Sequence, residues 1–392
     1  MQLKYFFKNC TAVKRKRTAL VCAGTAVMFC VLLFFCRGGA VPCLLPDSDG
    51  RQAEKEDTCL LPPETEETDG NAEVVPAGAC GSKQKVLNYL RGIYGTQILA
   101  GQHTSPNMEE LQAVYRVTGK KPALLEFDFM DCSPSRIERG AEKIDLEPVI
   151  SWWNQGGLVA FCWHWNAPCG LIDEEPDKQW YRGFYTDCTT FDLEKAMEET
   201  QSKEYRLLLR DIDAIAAELK KLRDAGVPVL WRPLHEASGG WFWWGSRGTE
   251  TYLKLWKLMY DRLTNYHGLD NLIWVWNGED PDWYPGDDTV DIVGMDHYGE
   301  KHDYSPGIEE YQTVLSWQHD KMIALTETGV VPDPDLLEET SAKWLWYSTW
   351  SDNLVLNEDR TSYSGEYTER RMLKKAYNHA YVVTLDELPG FR

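Results

Sequence analysis

Basic charge is scarce in this chain. Its 392 residues hold 41 Lys and Arg against 61 Asp and Glu, a formal net charge of -20 with a pI near 4.9. A surface this acidic repels nucleic acid and anionic polymers, but it does not disfavour a neutral polymer. No internal repeat is present, which excludes stacked-repeat architectures. Of the eleven cysteines only Cys132, Cys162, Cys169 and Cys188 lie beyond residue 81, and no two form a CxxC pair. That spacing argues against a cysteine-ligated zinc site. In an exported chain it favours one disulfide instead, Cys169–Cys188 by preference.

Export is what the first residues point to. Residues 1–17 carry six Lys or Arg and no acid, ending in Lys14-Arg15-Lys16-Arg17. Thr18–Cys36 then runs for 19 residues without a charge. That is close to the length of a bilayer span and long for a signal-peptide core. The basic flank holds the leading end inside and sends the rest outward. A signal anchor or signal peptide is therefore expected over 18–36, with Gly38-Gly39-Ala40 offering small residues for cleavage, and the product is expected at the cell surface or secreted. Residues 37–81 read as an acidic, disordered tether. Between 41 and 80, ten acids face two bases with several prolines, and too few large hydrophobes are present to offset the entropy of ordering. The folded part is expected over 82–392.

Within that part, short apolar runs alternate with helical patterns, as in a parallel sheet wrapped by helices. Strands are predicted at Thr96–Gly101, Pro122–Asp128, Leu158–His164, Pro228–Leu234, Leu272–Trp276, Asp291–Asp296, Lys321–Glu327 and Leu345–Trp350. Helices are predicted at Met108–Val117, Glu204–Ala225, Glu250–Tyr266, Gly307–His319 and Glu366–Asn378. Leu208, Ile212, Ile215, Leu219 and Leu222 give the second helix its apolar stripe. Eight strands predict a single α/β domain, a (β/α)8 TIM barrel.

The strand ends concentrate chemistry, and in such barrels catalysis sits at the C-terminal ends of the strands. They carry Gln102-His103, Glu126 and Asp128, Trp163-His164-Trp165, His235-Glu236, Asn277, Asp296-His297-Tyr298, Glu327 and Trp350-Ser351-Asp352. Glu236 and Glu327 end strands four and seven. Alternation places Arg232, Leu234 and Glu236 on one face, and Ile323, Leu325 and Glu327 on another. A lone strand-end glutamate is an ordinary solvated residue, but two facing ones are the equipment of a glycosidase. Trp241-Phe242-Trp243-Trp244 follows directly, and sugar rings stack on such aromatics; Phe242 and one Trp are expected to cap the core. His103, His164, His235 and His297 would also suit a metal hydrolase. None is at helical ligand spacing, and neutral imidazoles donating to sugar hydroxyls serve as well, so no metal and no cofactor is expected.

Trp231–Gly245 (WRPLHEASGGWFWWG) closely resembles the acid/base segment of glycoside hydrolase family 26, the β-mannanase family. Cys162-Trp163-His164-Trp165-Asn166, Asp296-His297-Tyr298-Gly299, Leu325-Thr326-Glu327-Thr328-Gly329 and Tyr347-Ser348-Thr349-Trp350 resemble its motifs on strands three, six, seven and eight. The resemblance covers most of residues 83–390. It implies a retaining (β/α)8 glycosidase, most often an endo-acting β-1,4-mannanase without a cofactor, with β-1,3-xylan or mixed-linkage glucan as other substrates. By the same resemblance Glu236 is the acid/base and Glu327 the nucleophile. His164, His235, Trp241, Asp296, Tyr298 and Trp350 bind substrate, and Arg232 supports the carboxylates. The expected partner is a mannan-type poly- or oligosaccharide, bound by a monomer held to a membrane through its N-terminal segment. A catalytically dead polysaccharide-binding protein is the rival, but it has no reason to keep both glutamates.

Overall fold

The computed structural model describes residues 78–317 and 320–391. The basic segment, the apolar run 18–36 and nearly all of the acidic tether lie outside the described residues. Among those described, no helix is long and apolar enough to cross a membrane.

Eight parallel strands form the barrel: β1 (Ile98–His103), β2 (Leu124–Asp128), β3 (Leu158–Cys162), β4 (Val229–Arg232), β5 (Leu272–Trp276), β6 (Ile292–His297), β7 (Met322–Thr328) and β8 (Trp346–Thr349). They follow one another in chain order, and β8 pairs back onto β1 through Leu99–Trp346 to Gln102–Thr349. All eight expected strands are present. β3 and β4 end two residues early, at Cys162 and Arg232, and the residues beyond them are free to turn into the mouth. A two-residue β9 (Val382–Val383) adds to β1 at Ile98 and Leu99; it is too short to carry a periodic signal.

The helices are α1 (Gly78–Ile93), α2 (Glu109–Thr118), α3 (Pro134–Ile137), α4 (Glu147–Asn154), α5 (Leu193–Glu198), α6 (Lys203–Asp224), α7 (Thr249–Tyr260), α8 (Ile308–Leu315), α9 (Pro334–Glu339) and α10 (Arg370–Tyr377). α6 shows how the wrapping works. Leu208, Ile212, Ile215, Leu219 and Leu222 are all buried. Ser202 caps the helix by accepting from the Tyr205 N–H at 3.0 Å, a contact worth about 1 kcal/mol. Gly226 then turns the chain with φ 74° into β4. The helix expected over 250–266 is interrupted: α7 stops at Tyr260, and Asp261–Tyr266 is a wider π turn. There Asp213 receives Arg262 and His267, each at 2.7 Å. The pattern gives no warning of α1, which begins in tether-like composition, or of α4, whose eight residues are too few for a periodic count.

The expected Cys169–Cys188 bridge is not formed. An antiparallel bridge pairs Leu171 with Thr189, and Ile172 N–H donates to the Cys188 carbonyl at 2.9 Å. Cys188 therefore faces Ile172, three positions out of register with Cys169. Its sulfur contacts the Asp177 carbonyl at 3.8 Å instead.

Candidate active site

Glu327 reaches the barrel mouth through a fault in the sheet. Paired residues in a parallel sheet share a face. β6 and β7 pair Gly294 with Ala324 and Met295 with Leu325, but then Asp296 with Glu327, so Thr326 is an inserted residue. Leu325 shares the outer face with Met295, and regular alternation would have carried Glu327 outward with it. The inserted residue re-aims Glu327 inward, a familiar use of a bulge. Expecting Ile323, Leu325 and Glu327 on one face is thus wrong about the route and right about the destination. Thr326 also points in, donating to Asp296 Oδ1 at 2.6 Å. Gly294 leaves it room: a Cβ there would lie 2.7 Å from the Thr326 hydroxyl and methyl.

Glu236 arrives by another irregular route. Arg232 is the last residue of β4 and faces inward. Beyond it Leu234 and Glu236 both have φ 52°, a left-handed conformation that costs about 1–3 kcal/mol for a non-glycine residue. Three contacts offset this cost. Glu236 N–H donates to the Asn277 carbonyl at 2.7 Å, Trp244 Nε1 donates to the His235 carbonyl at 2.8 Å, and Trp241 Nε1 donates to Glu236 Oε2 at 2.8 Å. Carboxylate oxygens of Glu236, Asp296 and Glu327 come within 4.8 Å of one another.

Arg232 organises the floor. Its Nε and Nη2 donate to Glu126 Oε1 at 3.0 and 2.9 Å. Nη2 also donates to Glu327 Oε1 at 2.5 Å, and Nη1 reaches Asp296 Oδ2 at 3.2 Å and Asn277 Oδ1 at 3.3 Å. Tyr298 donates to the other Glu327 oxygen at 2.5 Å, so both oxygens of Glu327 accept from strong donors. One guanidinium serves three buried carboxylates. Its charge cannot balance all of them, and the protonation states divide accordingly. Burial raises Glu126 above the usual carboxylate range, against the pull of Arg232. Burial and then the Glu327 charge raise Asp296 well above it. Glu236 is also pushed well up, by burial first and then by repulsion from Glu327 and Glu279.

The histidines form a second line. Asp128 Oδ2 lies 2.6 Å from His164 Nδ1, and His164 Nε2 lies 3.2 Å from His235 Nε2. Burial, then the neighbouring charges of His164 and Arg232, press His235 well below the ordinary imidazole value, so it is neutral. Burial likewise lowers His103 to about 4. Trp350 stacks on His103 with centroids 4.0 Å apart and meets His164 edge-on at 5.7 Å.

The structure thus brings together Arg232, Glu236, Trp241, Asp296, Tyr298 and Glu327, with His164, His235 and Trp350 alongside. His297 stands apart, half-buried against Glu310 at 3.1 Å. Of the aromatic run, Phe242, Trp243 and Trp244 are all buried, so two tryptophans rather than one support the core. Trp243 donates to the Trp165 carbonyl at 2.6 Å, and Trp244 stacks on Phe242 at 4.5 Å. Glu126, Asp128 and Asn277, which the sequence shows only as strand-end polar residues, also join the site. Glu279 and Thr326 gave no signal.

Among the described residues, two side-chain groups have the proximity of metal ligands: His103, Asp128 and Cys162, and the three carboxylates already described. Neither fits a metal well. In the first, burial raises the Cys162 thiol well above its usual value, which opposes thiolate ligation. In the second, Arg232, Tyr298, Thr326 and Trp241 already occupy the oxygens.

The model of glycosyl hydrolase family 26 matches residues 75–387. The chain belongs to this family. It is 49% identical over 315 residues to a mannan endo-1,4-beta-mannosidase of Thermothelomyces thermophilus, covering 80% of this chain and 63% of that protein. This family 26 chain therefore spans less than two thirds of that relative's length. A solved family 26 β-(1,4)-mannanase of Podospora anserina superposes with a TM-score of 0.75 at 45% identity, over 84% of this chain and 71% of that one. A β-mannanase from a protist symbiont of the termite Reticulitermes speratus, solved with a gluco-manno-oligosaccharide, gives 0.68 at 33% identity, over 82% and 100%.

Proposed function

We propose that this protein is an endo-acting β-1,4-mannanase that works by double displacement with retention. The observation that carries the reading is the separation of Glu236 and Glu327, with oxygens within 4.8 Å across the barrel mouth. Retaining pairs stand about 5–5.5 Å apart, and inverting pairs are wider, at about 6.5–9.5 Å, to admit a water. Glu327, accepting from Arg232 and Tyr298, attacks the anomeric carbon. Glu236, holding its proton because of burial and nearby negative charge, gives it to the departing oxygen. A glycosyl ester on Glu327 results. Glu236, now ionised, takes a proton from water, which displaces the ester and restores both groups. The His164–His235 pair is placed to bond sugar hydroxyls, while Trp241 and Trp350 supply ring faces. Mannan as substrate is supported by the names of the relatives.

All of these side chains come from one chain, which supports action as a monomer. The uncharged run 18–36 behind its basic flank supports an exported enzyme, anchored through that run or released from it. Alkaline carbonate extraction of expressing cells separates the two, since only an anchored form stays in the pellet.

Digestion of galactomannan, glucomannan, β-1,3-xylan and lichenan, with products sized and their anomeric form followed by NMR, tests the main reading. Internal cleavage of the mannans with the β-anomer appearing first is expected. Binding without new reducing ends, or the α-anomer first, overturns it.

A further inference from the structure

Strand β5 stops before its neighbour does. Its last pairing with β6 joins Trp276 to Val293, while β6 continues to His297. Above that level the Asp296 N–H has no β5 partner, and it donates instead to the Glu279 carboxylate, Oε1, at 3.3 Å. The turn Asn277-Gly278-Glu279 is shaped to deliver that oxygen. Gly278 packs where a Cβ would lie 2.6 Å from the Trp276 indole, and Glu279 takes a left-handed backbone with φ 64°. The same turn also holds the opposite side of the site. The Asn277 carbonyl accepts from the Glu236 N–H at 2.7 Å, and the Gly278 carbonyl from Ser238 N–H at 3.2 Å. One three-residue turn therefore grips both the residue carrying the acid and the residue beside the nucleophile.

We propose that Glu279 is a positioning residue of the hydrolysis, a further carboxylate that seats Asp296 against Arg232 and brings a negative charge to the turn that also holds Glu236. The proposal rests on Glu236 being the acid. Glu236 faces Glu327 from β7, Glu279 from the turn after β5, Arg232 from β4 and the Trp241 N–H from its own loop. Its charge is also felt by Tyr185 and Tyr298. Glu279 faces the Asp296 N–H, Glu327 and Arg232, as well as the Asp296 carboxyl. Burial, then the Glu327 charge, raises it to about 7. Its own charge thus develops as the solution approaches neutrality, where a protonated Glu236 is still required. Two such groups lose their protons in two shared steps, the second harder than the first. Glu279 thereby widens the range over which the acid stays loaded.

The test is the pH dependence of kcat/KM on mannan for wild type, E279Q, E279D, E279N and E236Q. E279Q keeps an amide oxygen for the Asp296 N–H and removes only the charge. Its alkaline limb should move to lower pH by about half a unit or more, as expected when a nearby like charge is lost. Asp and Asn tolerate the left-handed backbone, so this second pair does not depend on E279Q folding well. E279D should hold the limb near wild type and E279N should shift it. A limb that stays in place in both neutral variants, or a loss uniform across pH, overturns the proposal. If E236Q keeps ordinary activity, the reading of Glu236 as the acid fails and this inference goes with it. If E236Q is inactive while the neutral variants at 279 keep their limb, only the role of Glu279 fails.

Discussion

Glu327 and Glu236 are the same residue type a few ångströms apart, yet their surroundings have almost nothing in common. Glu327 is wrapped in hydrogen-bond donors: Arg232 from β4 takes one oxygen and Tyr298, just past β6, the other, each at 2.5 Å. Glu236 accepts from the Trp241 indole and is otherwise set by burial and by negative neighbours. Donors favour an ionised carboxylate, while burial among negative charges favours a protonated one. In the proposed mechanism, environment rather than residue type divides the labour.

Deleting each carboxyl in turn is the harshest way to break this comparison. Glu327→Ala should lose about 10⁴-fold or more in kcat, a loss on the scale of removing a nucleophile, whatever the leaving group. Glu236→Ala should lose about 10²–10⁴-fold on mannan, the usual contribution of an acid. On an aryl mannoside whose leaving group needs no proton, glycosylation should recover in Glu236→Ala alone. Equal losses for both variants on both substrates would remove the distinction.

Arg232→Lys keeps the charge but loses the planar fork. With Glu126, Asp296 and Glu327 no longer shared by one guanidinium, kcat should fall about 10²-fold, the scale of losing an aligned donor. A change confined to KM would mean the fork only binds substrate. Trp241→Phe removes the donor that pulls the Glu236 carboxyl down. The alkaline limb of the pH profile should therefore move up, with about a tenfold loss in rate from one hydrogen bond. An unmoved limb would show that this indole does not govern the acid.

The smallest effect is on stability. Glu236 has a raised value in the folded state, so its contribution is complete below the unfolded value of about 4.3 and is lost as pH rises through the folded one. Glu236→Gln should therefore raise Tm relative to wild type, by an amount that grows from pH 5 towards pH 8. A difference in Tm that is flat with pH would mean that folding does not make Glu236 hold its proton more tightly than the unfolded chain does.

The barrel was legible because its strands are simple: eight apolar runs of ordinary length, separated by helical stripes such as that of α6. Both glutamates were legible from the motifs around them. The paths that bring them in were not. An inserted Thr326 and two left-handed residues at 234 and 236 are decided by pairing with neighbouring strands and by contacts such as the Glu236 N–H to the Asn277 carbonyl, which lie far off in sequence. The aromatic run shows the same limit. Trp241 and Trp244 share a residue type and a segment, but only packing against Phe242 and the barrel makes one a core residue and leaves the other beside the cleft. Glu279 gives no signal in the sequence because nothing near it in the chain is periodic; its contact with the Asp296 N–H exists only because β5 ends short of β6.

The extra residue in β7 has a consequence for anyone rebuilding this scaffold. A designer who copied the barrel with idealised, evenly pleated strands and kept every side-chain identity would deliver the Glu327 carboxyl to the helical jacket, away from the barrel mouth. Transplanting the chemistry means transplanting an irregularity of the main chain, one surplus peptide unit, along with the functional groups it redirects.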